Sequence, residues 1–76
     1  VEDAMVSEQI ERDVRALVEL LPAEQREVVM MRYYSGMSFK EIAEQTGVSI
    51  NTALGRMRYA LINLRRMIRE KELILS

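Results

Sequence analysis

The stretch FKEIAEQTGVSINTALGRMRYALINL, residues 39–64, decides how the rest of the chain folds. Ser38 and Glu41 stand three apart before an apolar position. At that spacing the serine hydroxyl accepts from a free amide while the glutamate reaches back to the cap, which makes a capping box. Ile42 and Ala43 then face inward, and the alanine is small enough for a second helix to cross close by. Gly47 supplies the positive φ that ends the first helix and reverses the chain without steric cost. Val48 packs into the elbow, and Ser49 caps the next helix by accepting from an amide one turn on. Two helices joined by about three or four residues with a glycine form a helix-turn-helix, whose second helix commonly lies in the DNA major groove.

The totals narrow the choice of function. Seventy-six residues make one small domain or a piece of a larger protein. A chain this short buries only about 60% of its unfolded surface. An apolar fraction of 49% is ample for a core, and six methionines point to an adaptable core or partner surface. There is no cysteine and no histidine, so disulfides, thiolate metal sites and the commonest general base are excluded. No metal, cofactor or small-molecule ligand is expected. No glycine-rich phosphate loop or paired acid arrangement suggests catalysis, and Glu41 and Glu44 look like a cap and a solvated charge. No apolar run approaches the roughly 18 to 20 residues of a membrane helix and nothing resembles a signal peptide, so a soluble, cytoplasmic protein is expected.

The net charge of −1 is unevenly spread. Residues 1–30 hold eight acids against Arg12, Arg15 and Arg26, whereas residues 49–76 hold Arg56, Arg58, Arg65, Arg66, Arg69 and Lys71 against Glu70 and Glu72. Such an asymmetry is the footprint of a DNA-binding module, although two oppositely charged solvated helices would give the same pattern.

Upstream, Ile10, Val14, Leu17, Val18 and Leu21 form one stripe of an amphipathic helix that begins near Ser7 as its cap. Pro22 ends it and suits the first turn of a second helix, where Glu24 and Glu27 meet the positive end of the dipole. That second helix is expected to run to about Tyr34, with Gly36 closing it. Val28, Val29, Met30, Met31, Tyr33 and Tyr34 make it apolar nearly all round, so it is either central in the bundle or partly a partner surface. Tyr33 and Tyr34 are expected at core and rim, and Met30, Met31 and Met37 in the core. In the last helix, Ile50 to about Glu70, the inward stripe is Ala53, Met57, Ala60, Leu61, Leu64 and Ile68. Gly55 costs that helix roughly 1 kcal/mol relative to alanine, which either marks close approach of something large or is a tolerated glycine. Arg65, Arg66 and Arg69 are expected in solvent or paired with acids of the first helix. The tail, residues 71–76, ends apolar and is expected to fray, to fold back or to continue into a longer parent. The fold class is all-α: one four-helix, bundle-like domain over residues 1–76 that contains a helix-turn-helix, with residues 1–6 frayed.

The run LPAEQREVVMMRYYSGMSFKEIAEQTGVSINTALGRMRYALINLRRM resembles region 4, the C-terminal domain of bacterial RNA polymerase sigma factors, over about residues 17–70. The likeness is nearest to the extracytoplasmic-function group. Its order of parts carries the match: Leu-Pro, then Glu-Gln-Arg-Glu-Val, a glycine, a capped helix with Glu-Ile-Ala, Gly-Val-Ser and a basic helix. The resemblance implies a fragment of a longer sigma factor that reads the promoter −35 element and docks on the polymerase β flap through apolar surface. An anti-sigma factor is a further partner that it implies. Carried over by position, the DNA-binding residues are Ser49, Asn51, Thr52, Leu54, Gly55, Arg56, Arg58 and Tyr59, with Arg56 near the DNA backbone or the protein's own acids. Met30, Met31 and Tyr34 are the polymerase-binding candidates. Many relatives carry an arginine or lysine and then a serine where this chain has Leu54 and Gly55. A leucine makes only apolar contact, for instance with a thymine methyl, which implies a less guanine-rich element or one read through DNA shape.

The output domain of LuxR-type regulators shares four helices and a Glu-Ile-Ala stretch, but it usually continues Thr-Val-Lys-x-His where this chain has Thr52-Ala53-Leu54-Gly55-Arg56. A polymerase- or anti-sigma-binding bundle without DNA affinity would show no salt-dependent duplex binding.

Overall fold

A computed structural model describes residues 12–75, with side chains over 12–71. Ser7 and Ile10, the expected cap and first stripe residue of the opening helix, lie outside the described residues. The described part of that helix, α1, covers residues 12–19. It closes in a tight turn, Leu20 N–H donating to Leu17 O at 3.0 Å and Leu21 N–H to Val18 O at 3.1 Å. Pro22 therefore falls after the helix and stands at the N-cap of α2, one position earlier than the first-turn site expected. Its extended backbone and missing N–H suit that place, and its carbonyl accepts from Arg26 N–H at 2.9 Å.

Helix α2, Ala23–Val29, passes into a π-helical turn over Met30–Tyr34. Nothing in the residue pattern calls for the wide turn. Ser35 N–H donates to Met30 O, Met37 N–H reaches back to Met31 O at 3.1 Å, and Gly36 takes φ 66°. Widening rotates the tyrosines outward. Tyr33 is 66% exposed and Tyr34 lies at the surface too, which corrects the expectation that one of them would sit in the core. Val28 and Val29 are buried, and Met30, Met31 and Met37 pack half-buried against the core. The helix is thus central at its start and superficial at its end.

Helix α3, Phe39–Thr46, carries the full capping box: Ser38 N–H donates to Glu41 Oε1 at 3.1 Å and Glu41 N–H to Ser38 Oγ at 3.1 Å. Gly47, at φ 70°, and Val48 both donate their N–H groups to Ala43 O, closing the helix in the left-handed conformation that glycine adopts freely. Helix α4, Ile50–Leu75, is longer than expected, its backbone continuing past Glu70 where a returning tail was one alternative.

All four helices meet in one core. Val18 of α1, Leu21 of the turn that follows it, Val28 and Val29 of α2, Ile42 and Ala43 of α3, and Ala53, Met57, Ala60 and Leu64 of α4 are buried. Ala43 of α3 and Ala53 and Ala60 of α4 are buried with little bulk, while Ile42, Val18 and Val28 are the largest fully buried side chains. Complete burial of each of those three side chains stabilises the fold by about 1.5–3 kcal/mol. The inward stripe of α4 ends differently from expectation: Met67 packs on the core and Ile68 is exposed. Ala53, Met57, Ala60, Leu64 and Met67 alternate steps of four and three, and that alternation holds a straight seam where a further step of four drifts off it.

Candidate nucleic-acid interface

Ser49 sets the start of the recognition helix. Its Oγ accepts from Thr52 N–H at 3.1 Å and donates to Thr52 Oγ1 at 2.9 Å, so both residues are engaged in the cap while exposed. With the seam of α4 turned to the core, the opposite face carries Asn51, Leu54, Arg58, Tyr59 and Ile62 in the open. Leu54 is 43% and Tyr59 62% exposed, large values for apolar and aromatic side chains. Arg58 has no acid within ion-pair distance among the described residues.

Arg56 departs from this group. It turns toward α2, half-buried, with Nη2 3.8 Å from Glu24 Oε1. About two turns further on, Asn63 Nδ2 donates to Gln25 Oε1 at 2.6 Å. These two contacts tie the flank of α4 to the first turn of α2 and fix the direction in which the open face points. Gly55 lies near the middle of that open face, and a Cβ built on it would meet nothing within 4 Å. No neighbour inside the fold demands a glycine there, although it costs a helix interior about 1 kcal/mol relative to alanine.

Beside Leu54 and Arg58 opens a hollow of about 450 Å³, floored by Phe39 and Met57 and edged by Ile62 and Arg65. Phe39, Ile62 and Arg65 were not among the expected site residues. The available signal was Ile62, an apolar residue four after Arg58 and off the inward stripe. Of the other basic residues, Arg66 pairs along its own helix with Glu70 at 4.0 Å, and the partner of α1 is Lys71, 3.8 Å from Asp13. Arg65, Arg66 and Arg69 are exposed, the solvent alternative of the two expected, and the contact with the first helix is made by the neighbouring lysine.

The polymerase-binding candidates do not gather at one place. Tyr34 lines an apolar groove of about 400 Å³ with Val14, Val18, Val29, Tyr33, Leu61 and Leu64. Arg15 lies over the Tyr34 ring at 5.3 Å and holds it at the rim. Met30 borders a separate hollow with Glu19, Arg26 and Glu27. Met31 lines neither groove, packing half-buried against the core.

A four-helix domain whose last two helices are joined by a capped, glycine-bearing turn, with the second presenting an open polar and basic face, is a helix-turn-helix DNA-binding domain. The family model for sigma-70, region 4, matches residues 11–61, the greater part of the chain. The chain belongs to that family, and its role is that of a sigma-factor DNA-binding domain in promoter recognition at transcription initiation by RNA polymerase. No curated protein matches it. Among the described residues, no helix is long and apolar enough to cross a membrane.

Proposed function

We propose that this domain belongs to an extracytoplasmic-function sigma factor and recognises the promoter −35 element in the cytoplasm by laying the first half of α4 in the major groove. The observation that carries this reading is the open face of α4, where Asn51, Leu54, Arg58 and Tyr59 follow a fully capped turn and point away from the core. Arg58 supplies the charged contact, Asn51 an amide that can pair with an adenine edge, and Leu54 an apolar one in the place where many relatives carry a cation. Ser49 and Thr52 set the entry of the helix and contact the sugar-phosphate backbone. The second docking surface is the groove bordered by Tyr34, Val14 and Leu61, which takes an apolar segment of the polymerase β flap.

The test is fluorescence anisotropy of the chain on duplexes selected from a randomised pool, repeated over a range of salt. Affinity falls as log K against log salt, with a slope of about −0.9 for each phosphate contacted. A chain that enriches no duplex, or binds without salt dependence, sinks the promoter-reading role and leaves a protein-interaction bundle.

A further inference from the structure

We infer that Gly55 is a specificity position: its bare backbone is a seat for the C5-methyl group of a thymine in the bound promoter. The inference rests on the promoter-reading role proposed above and adds the base that this residue selects. Three observations lead to it. Gly55 is inside α4, in ordinary helical backbone, where glycine is disfavoured and where no turn or positive φ calls for one. A Cβ there would meet nothing in the protein within 4 Å, so the space immediately above it is open. The residues one turn before and after it on the helix surface, Asn51, Thr52, Arg58 and Tyr59, are all exposed, so they ring a dimple whose floor is main chain.

What fills the dimple follows from its place. The exposed stripe of α4 spans Leu54 on one side to Thr52 on the other, and Gly55 lies near its middle, where a docked helix comes nearest the base edges. A sugar-phosphate contact would fall at the flank, on the side of Thr52 and Arg56. Of the four bases only thymine presents an apolar projection in the major groove, and a floor without a polar side chain suits a methyl group better than a donor or acceptor. Leu54, 43% exposed on the same face, adds apolar surface beside it.

The experiment compares the wild-type chain with Gly55→Ala on a duplex selected by the wild type, and on copies in which single thymines are replaced by deoxyuracil. Deoxyuracil removes the methyl and leaves the pairing edge unchanged. Wild type loses about fourfold in affinity at one thymine, the value of one buried methyl. Gly55→Ala raises the thermal midpoint of the free chain, yet binds the thymine duplex roughly five- to a hundredfold more weakly, as a mismatched contact does. On the deoxyuracil duplex it recovers part of that loss, because its own methyl takes the vacated space. That crossed pattern is a double-mutant cycle and cannot arise from stability alone. Unchanged affinity of Gly55→Ala for the thymine duplex overturns the inference and leaves a glycine with no role. An equal loss on thymine and deoxyuracil at every position overturns the thymine assignment and puts the sugar-phosphate there. Failure of the wild type to select any duplex defeats the promoter reading itself, and this inference with it.

Discussion

Arg56 and Arg58 are two residues apart on one helix and have different partners. Arg58 stands in the open beside Leu54, whereas Arg56 is half-buried and faces Glu24. Replacing Arg58 by alanine is expected to weaken duplex binding by roughly 1 to 3 kcal/mol, the cost of one base-edge contact. Arg56→Ala is expected to change stability by only about 0 to 1 kcal/mol, since its ion pair is long and partly solvated. Arg69→Ala, far along α4, should alter neither. Anisotropy titrations of the three variants check this order, and a loss at Arg69 with none at Arg58 would show that the helix docks in another register. At this scale the sequence told most where periodicity decides. The spacing of Ala53, Met57, Ala60 and Leu64 identifies the buried side of α4 and hence, by subtraction, the open one. The sequence offered the protein's own acids as one alternative for Arg56, and Arg56 faces Glu24, but which acid depends on how α2 lies across α4.

Elements closed by local chemistry were legible, and the one shaped by its surroundings was not. The Ser38–Glu41 box, the left-handed Gly47 and the Ser49 cap each need only residues within a few positions, and each forms as its spacing requires. The π turn at Met30–Tyr34 is different. Met, Arg and Tyr carry no signal for an i+5 bond, and the widening is fixed by where Ser35 and Met37 must return to the carbonyls of Met30 and Met31. The capping box also gives α3 a pH dependence. Ser38 backbone N–H, and then its hydroxyl, hold the Glu41 carboxyl below its ordinary value of 4.5. Because the native value is the lower one, the carboxylate's contribution is fully present above the unfolded value and is lost as pH falls through the native value. Glu41→Gln is therefore expected to melt below the wild type at neutral pH and to converge on it in acid, below about 4.5. Thermal melts of both chains across that window decide the matter. A gap that stays constant with pH would mean that the glutamate acts through packing alone.

Across the whole molecule, the acidic beginning and basic end of the chain are brought together rather than kept apart. Asp13 of α1 meets Lys71 of α4, and Glu24 of α2 meets Arg56, so part of the basic charge of α4 is answered internally. The first half of α4 keeps Arg58 outward. The apolar groove lies elsewhere, between α1, the end of α2 and the middle of α4. Its lining residues, Tyr34, Val14, Val29 and Leu64 among them, share no member with the proposed DNA-binding set. Two surfaces made of different side chains on one rigid core can be filled together, as a domain that bridges polymerase and promoter requires. An NMR titration with the β-flap tip segment is therefore expected to shift resonances around Val14, Val29 and Tyr34 while leaving Asn51, Arg58 and Tyr59 unmoved. Affinity for the selected duplex should be the same with the groove occupied or empty, since a ligand changes a second site only through a difference between states. Shifts that spread over Asn51 and Arg58 instead, with loss of duplex binding, would place the flap segment on the open face of α4 and make the two partners exclusive.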